Sequence, residues 1–102
     1  MPTWPVLQAR GKMLAAIRRF FEARSVTEVT TPALSRSATF DAQLSSFEVS
    51  DKTNKLFLQT SPEYALKRAL AVYGQALFEI TPVFRRGDQG RQHNPEFTML
   101  EW

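Results

Sequence analysis

FRRGDQGRQHNPEFTMLEW, residues 84–102, is the stretch whose reading decides the fold. Taken as a strand ending at Arg85, a loop from Arg86 to Pro95 and a second strand from Glu96, it forms a hairpin-like unit. That unit carries an arginine, a polar glycine-containing loop, a histidine, an aromatic and a carboxylate. The two-residue period of a strand puts Phe97, Met99 and Glu101 on one face and turns Thr98 and Leu100 to the other. Phe97 and Glu101 are then about 13 Å apart, four residues at about 3.3 Å each, a span that suits a nucleotide joined to an amino acid. A hairpin centred near Arg91 would set Arg85 between those two ends.

Working back towards the N-terminus, Leu77 to Arg85 reads as the first strand of the hairpin. Before it, Ser61-Pro62-Glu63 is a helix start, with serine as N-cap, proline at the first helical position and an acid in the first turn. That helix runs to about Tyr73 and ends at Gly74. FEV, the polar turn SDKTNK and LFLQT suggest another hairpin, preceded by a loop from Ser35 to Ser46. Val26 to Thr31 alternates as a short strand stopped by Pro32. From Val6 to Arg24 an amphipathic helix is expected, with Met13, Leu14, Ile17, Phe20 and Phe21 as its apolar stripe. This order predicts an α+β fold, an antiparallel sheet flanked by helices, rather than a doubly wound parallel sheet.

The chain has 102 residues, 43% of them hydrophobic, which bounds it to one small domain or part of one. At this size only about 60–65% of the unfolded chain's surface is buried. Thirteen basic against ten acidic residues give a net charge of +3, compatible with ATP or an acidic partner and equally with an ordinary surface. With no cysteine, the chain holds no disulfide, thiolate nucleophile or cysteine-ligated metal. No apolar run has signal-peptide or membrane-span length, and the default expectation is a soluble, cytoplasmic protein. Neither the GxxxxGK[ST] phosphate loop nor a GxGxxG fingerprint is present, so side chains must hold any bound phosphates.

Three segments carry a family resemblance. Residues 77–102 resemble motif 2 of the class II aminoacyl-tRNA synthetases, and HNPEFTMLEW at 93–102 is especially similar to the lysine branch and to its truncated members, which attach a lysine to elongation factor P. ARSVTEVTTPAL at 23–34, within a segment of about 6–34, is similar to motif 1. TSPEYALKRAL at 60–70, within about 56–74, resembles the amino-acid-binding segment between the motifs. The resemblance covers nearly the whole of residues 1–102 and implies one incomplete class II catalytic domain.

The activity it implies is attack of a lysine-type carboxylate on the α-phosphorus of ATP, giving an aminoacyl adenylate, then transfer to a lysine of elongation factor P. Charge develops on phosphoryl oxygens, which calls for a fixed, permanently charged donor. Arg85 matches the motif 2 arginine that contacts the α-phosphate and the substrate carboxylate; by itself it reads as a strand-end surface arginine. His93 matches a loop histidine near the γ-phosphate, with Asn94 beside it, although a lone histidine in a polar loop is ordinarily just solvated. Phe97 matches the aromatic on which adenine stacks, or else a core phenylalanine. Glu63 and Glu101 match two acids that receive the amino groups of lysine, and Glu63 equally suits its helix dipole. The resemblance further implies a homodimer through the motif 1 helix and strand, including Phe21 and Pro32, and Mg2+ held by residues outside this chain.

Departures from the pattern are specific. Where the family has a residue and then a glutamate after the arginine, this chain has Arg86-Gly87, and Asp88 becomes the nearest acid for adenine. Ser25 replaces the glycine usual before the motif 1 strand. The glycine-rich motif 3 is absent. The motif 1 helix begins within a few residues of Met1, without a preceding anticodon-binding barrel, which favours the elongation factor P ligases. The alternatives are the catalytic core of a lysyl-tRNA synthetase, with tRNA as acceptor, and a non-catalytic fragment or paralogue serving as a dimerisation or binding module.

Overall fold

The computed structural model describes residues 1–36, 46–87 and 94–102. The elements in chain order are α1 (Trp4–Glu22), β1 (Thr27–Glu28), β2 (Leu34–Ser35), β3 (Glu48–Asp51), β4 (Asn54–Leu58), α2 (Glu63–Tyr73), β5 (Leu77–Phe84) and β6 (Glu96–Glu101). Two three-stranded sheets result, ordered β1-β5-β6 and β2-β4-β3. The fold is α+β, as expected. All the ladders are antiparallel except one, because β1 joins β5 in parallel, pairing Thr27 with Leu77 and Glu28 with Phe78. The expected six-residue strand from Val26 is thus two residues long, its pairing extended by the Val29 N–H donating to the Phe78 carbonyl at 2.9 Å.

Helix α1 starts two residues before the expected Val6, because Pro5 supplies the fixed φ that suits a first turn. At its other end Ser25 takes φ 58°. The Val26 N–H reaches the Phe21 carbonyl at 3.0 Å and the Ser25 N–H reaches Glu22 at 3.1 Å, the two bonds of a Schellman turn with serine in the left-handed position. The expected apolar stripe divides. Leu14, Ile17 and Phe21 face inward, whereas Met13 and Phe20 are half exposed or more. Phe21 stacks on Phe78 with ring centroids 4.4 Å apart and lies 6.1 Å from Trp102.

Alternation along β5 gives the central hairpin two unlike faces. Phe78 and Ile80 share a face with Thr98 and Leu100, and α1 covers it, tied down where Arg10 donates to the Thr98 hydroxyl at 2.8 Å. On the opposite face Glu79, Thr81 and Val83 are buried. There the segment entering α2 covers β5. The Phe84 N–H donates to the Gln59 carbonyl at 2.9 Å, and the Gln59 amide donates to Thr81 and to the Pro82 carbonyl at 3.0 and 2.9 Å. Gln59 therefore links the two sheets along the stretch of β5 that β1 leaves unpaired, which is also where Pro82, lacking an N–H, is tolerated.

Around this frame the remaining expectations are met with small changes. Strand β2, Leu34–Ser35, takes in the first residue of the expected loop by pairing with Leu58 and Phe57 of β4, and residues 37–45 of that loop lie outside the described residues. The β3–β4 hairpin is tighter than expected, closing over Lys52 and Thr53 with Asp51 opposite Asn54. Ser61 caps α2, its hydroxyl accepting the Glu63 N–H at 2.9 Å, and Gly74 ends it at φ 62°.

Candidate functional site

The ladder pairs Val83 with Phe97 and Glu79 with Glu101, so Phe97, Met99 and Glu101 share the face that carries Glu79, Thr81 and Val83. One expectation is corrected by this register. Val83 rather than Arg85 stands opposite Phe97, and the Arg85 N–H donates instead to the Pro95 carbonyl at 2.9 Å. Arg85 consequently lies just beyond Phe97 and not between Phe97 and Glu101, because the ladder is centred one position before Arg91.

At that end the arginine is already oriented. Its Nε donates to the Thr60 carbonyl at 3.1 Å, and its guanidinium carbon stands 5.3 Å from the Phe97 ring centroid, within cation–π range. With Nε fixed, the two terminal nitrogens form the outward end of the fork, the geometry that engages phosphate or carboxylate oxygens in pairs. Phe97 is 37% exposed. Asn94 is exposed just before β6, whereas Asp88 and His93 lie outside the described residues. Gly87 has φ 112°, a backbone that a glutamate in its place would rarely adopt.

Charged side chains are also found on α2, β5 and β6. Glu63, in the first turn of α2, accepts from Lys67 one turn later at 2.8 Å. The Lys67 ammonium holds the Glu63 carboxyl below its ordinary range, and Glu63, with a smaller contribution from Glu101, raises Lys67. For Glu63 the sign is that of a depressed acid: the pairing acts fully above the ordinary carboxylate range and is lost as pH falls through the lowered value. Glu101 is half-buried directly opposite Glu79. Like charges facing each other across a ladder repel, but Glu79 is engaged elsewhere. It is 1% exposed, and its two oxygens accept the Thr31 N–H at 2.8 Å and the Thr31 hydroxyl at 2.7 Å.

Of the two residues expected at a dimer contact, Pro32 is exposed and Phe21 is not, being 5% exposed against Phe78. The outward member of the aromatic pair is Phe20, stacked beneath Arg24 with 3.5 Å from guanidinium carbon to ring centroid. Sequence reasoning could not separate the two neighbours, since the helical period assigns a stripe about 100° wide and both fall near it. Thr60, Glu79 and Lys67 were also missed. For Lys67 a signal existed, the Glu-to-Lys spacing of four along a helix. Among the described residues no group of three or more His, Asp or Glu side chains could hold a metal ion.

Comparison with known proteins bears on the family and the fold. A family model described as tRNA synthetases class II (D, K and N) matches residues 4–102. Two similar curated proteins bear the name elongation factor P–(R)-β-lysine ligase. That of Histophilus somni strain 2336 is 48% identical over 102 residues, covering 94% of this chain and 32% of that protein. That of Pasteurella multocida is 47% identical over the same coverage. This chain thus spans about a third of the length of these relatives. Among solved structures, asparaginyl-tRNA synthetase of Pyrococcus horikoshii complexed with asparaginyl-adenylate superposes with a TM-score of 0.80 at 23% identity, over 93% of this chain and 22% of that one. The asparaginyl-tRNA synthetase of Entamoeba histolytica gives 0.80 at 20% identity over 94% and 21%.

Proposed function

The chain belongs to the class II tRNA synthetase family of the D, K and N type, and from that premise we propose that the whole protein activates lysine or a lysine isomer with ATP and transfers it to a lysine of elongation factor P. The observation carrying this reading is the single face that bears Arg85 beside Phe97 at one end and Glu101 at the other. In the first step a carboxylate oxygen of the amino acid forms a bond to the α-phosphorus, and the bond from that phosphorus to the bridging oxygen breaks, releasing pyrophosphate. Arg85 neutralises the oxygens on which charge accumulates, Phe97 offers its exposed ring to the adenine, and Glu63 and Glu101 receive ammonium groups. In the second step the acceptor amine attacks the activated carbonyl carbon, AMP leaves and an amide remains.

Elongation factor P is preferred to tRNA as acceptor because the relatives at 44–48% identity carry that ligase name, whereas the asparaginyl enzymes support the fold alone. Incubating the full-length protein with ATP, radiolabelled lysine or β-lysine, elongation factor P and tRNA tests the proposal. Label is expected on elongation factor P. Label on tRNA alone would instead establish a lysyl-tRNA synthetase, and no label together with no amino-acid-dependent ATP–pyrophosphate exchange would leave a non-catalytic module.

A further inference from the structure

Arg85 is exposed, and an exposed arginine keeps one orientation only where a partner offsets its rotamer freedom. That partner is the Thr60 carbonyl, 3.1 Å from Nε, so the direction of the fork depends on where the backbone of residues 59–60 lies. This backbone belongs to no strand or helix, since β4 ends at Leu58 and α2 begins at Glu63. Gln59 fastens it. Its N–H donates to the Ala33 carbonyl and its own carbonyl accepts the Phe84 N–H, both at 2.9 Å, bonds that any residue but proline could make. Its side-chain amide adds what is particular to glutamine, two donors on one planar group, bonded to the Thr81 hydroxyl at 3.0 Å and the Pro82 carbonyl at 2.9 Å. Thr81 is 6% exposed, so the first of these bonds lies within the covered face of β5. The carbonyl that receives Arg85 belongs to the very next residue.

We propose that Gln59 is a positioning residue for Arg85: its amide, clamped on Thr81 and Pro82, sets the Thr60 carbonyl and through it the aim of the guanidinium. The inference rests on the reading of Arg85 as the group that meets the phosphoryl oxygens. A preorganised donor loses catalytic effect when it is free to turn, because its reorientation then has to take place during the reaction. The ammonium groups of the amino acid, assigned to Glu63 and Glu101, do not depend on Gln59, so the effect falls mainly on kcat and spares KM for lysine. A brace serving only the fold would lower stability and show no dependence on Arg85.

The test is a double-mutant cycle in the full-length protein with Gln59→Met, which keeps the length of the side chain and removes both donors, Arg85→Ala and the double variant. Lysine-dependent ATP–pyrophosphate exchange gives kcat and KM, and single-turnover adenylate formation at excess enzyme measures the slow variants. Gln59→Met is expected to lower kcat about three- to tenfold, the size of a neutral hydrogen bond's net contribution, with KM for lysine little altered. In the Arg85→Ala background the same change should have no further effect. Thr81→Val, which takes away the buried acceptor, should lower kcat by a smaller factor, and it carries the test, with the same overturning results, if Gln59→Met does not fold. An unchanged kcat in Gln59→Met, or an equal fall in both backgrounds, overturns the proposal while leaving Arg85 in the site. Normal exchange in Arg85→Ala, or none in the parent protein, overturns the reading of Arg85 and the proposal with it.

Discussion

At the scale of single residues, Arg85 is held from two sides. Its Nε is committed to the Thr60 carbonyl and its plane lies beside Phe97, so position and orientation both depend on the planar fork. In the full-length protein, Arg85→Ala should lower lysine-dependent ATP–pyrophosphate exchange by about 10²–10³-fold or more, the effect of removing one preorganised donor. Arg85→Lys should recover little, because an ammonium cannot keep the Thr60 contact and present two further parallel donors. Near-normal exchange in the alanine variant would remove Arg85 from the site. That this residue is the first candidate to test was legible in the sequence, through its place in a segment resembling motif 2. What fixes it was not legible, because a backbone carbonyl 25 positions away carries no identity that a sequence can display.

At the scale of elements, starts and stops were read well wherever a residue acts on its own backbone. Ser61, Pro62 and Gly74 delimit α2 by local chemistry, and they do so in the structure. The strand β1 was misjudged in length and direction, since its pairing with β5 is set fifty residues downstream by where the hairpin strand begins. The end of α1 holds a cost that local reading treats as mild. Ser25 stands at φ 58°, and a left-handed conformation costs an L-residue about 1–2 kcal/mol more than glycine. Ser25→Gly should therefore stabilise the protein by about 1 kcal/mol after allowing for the greater entropy glycine loses on folding. Urea unfolding checks this, with a higher midpoint at unchanged slope as the expected result. A lower midpoint would mean that the serine side chain supports the turn in some way that outweighs its backbone strain.

At the scale of the whole molecule, surface area decides the behaviour. A folded monomer of 11.7 kDa is expected to expose roughly 5,900 Å², and this chain exposes 8107 Å². Its radius of gyration, 15.7 Å, likewise exceeds the about 13 Å of a compact chain this long. Phe21, Phe78 and Val83 are the buried apolar core among the described residues, whereas Trp4, Met13, Phe20, Tyr73 and Trp102 are each at least half exposed. The excess of about 2,200 Å² is larger than one partner's share of a standard protein interface, about 800 Å². Residues 1–102 in isolation should therefore self-associate, with the outward face of α1 carrying Met13 and Phe20 as its first contact. The same openness should leave the isolated chain inactive. Arg85 and Glu63 are exposed, and in water-like surroundings a single charge pair is worth a small fraction of what it contributes in a closed, water-excluded site. Light scattering and lysine-dependent ATP–pyrophosphate exchange on the purified 1–102 chain examine both statements. A stable monomer would show that the exposed apolar surface is tolerated, and measurable exchange would show that Arg85 and Phe97 act without enclosure.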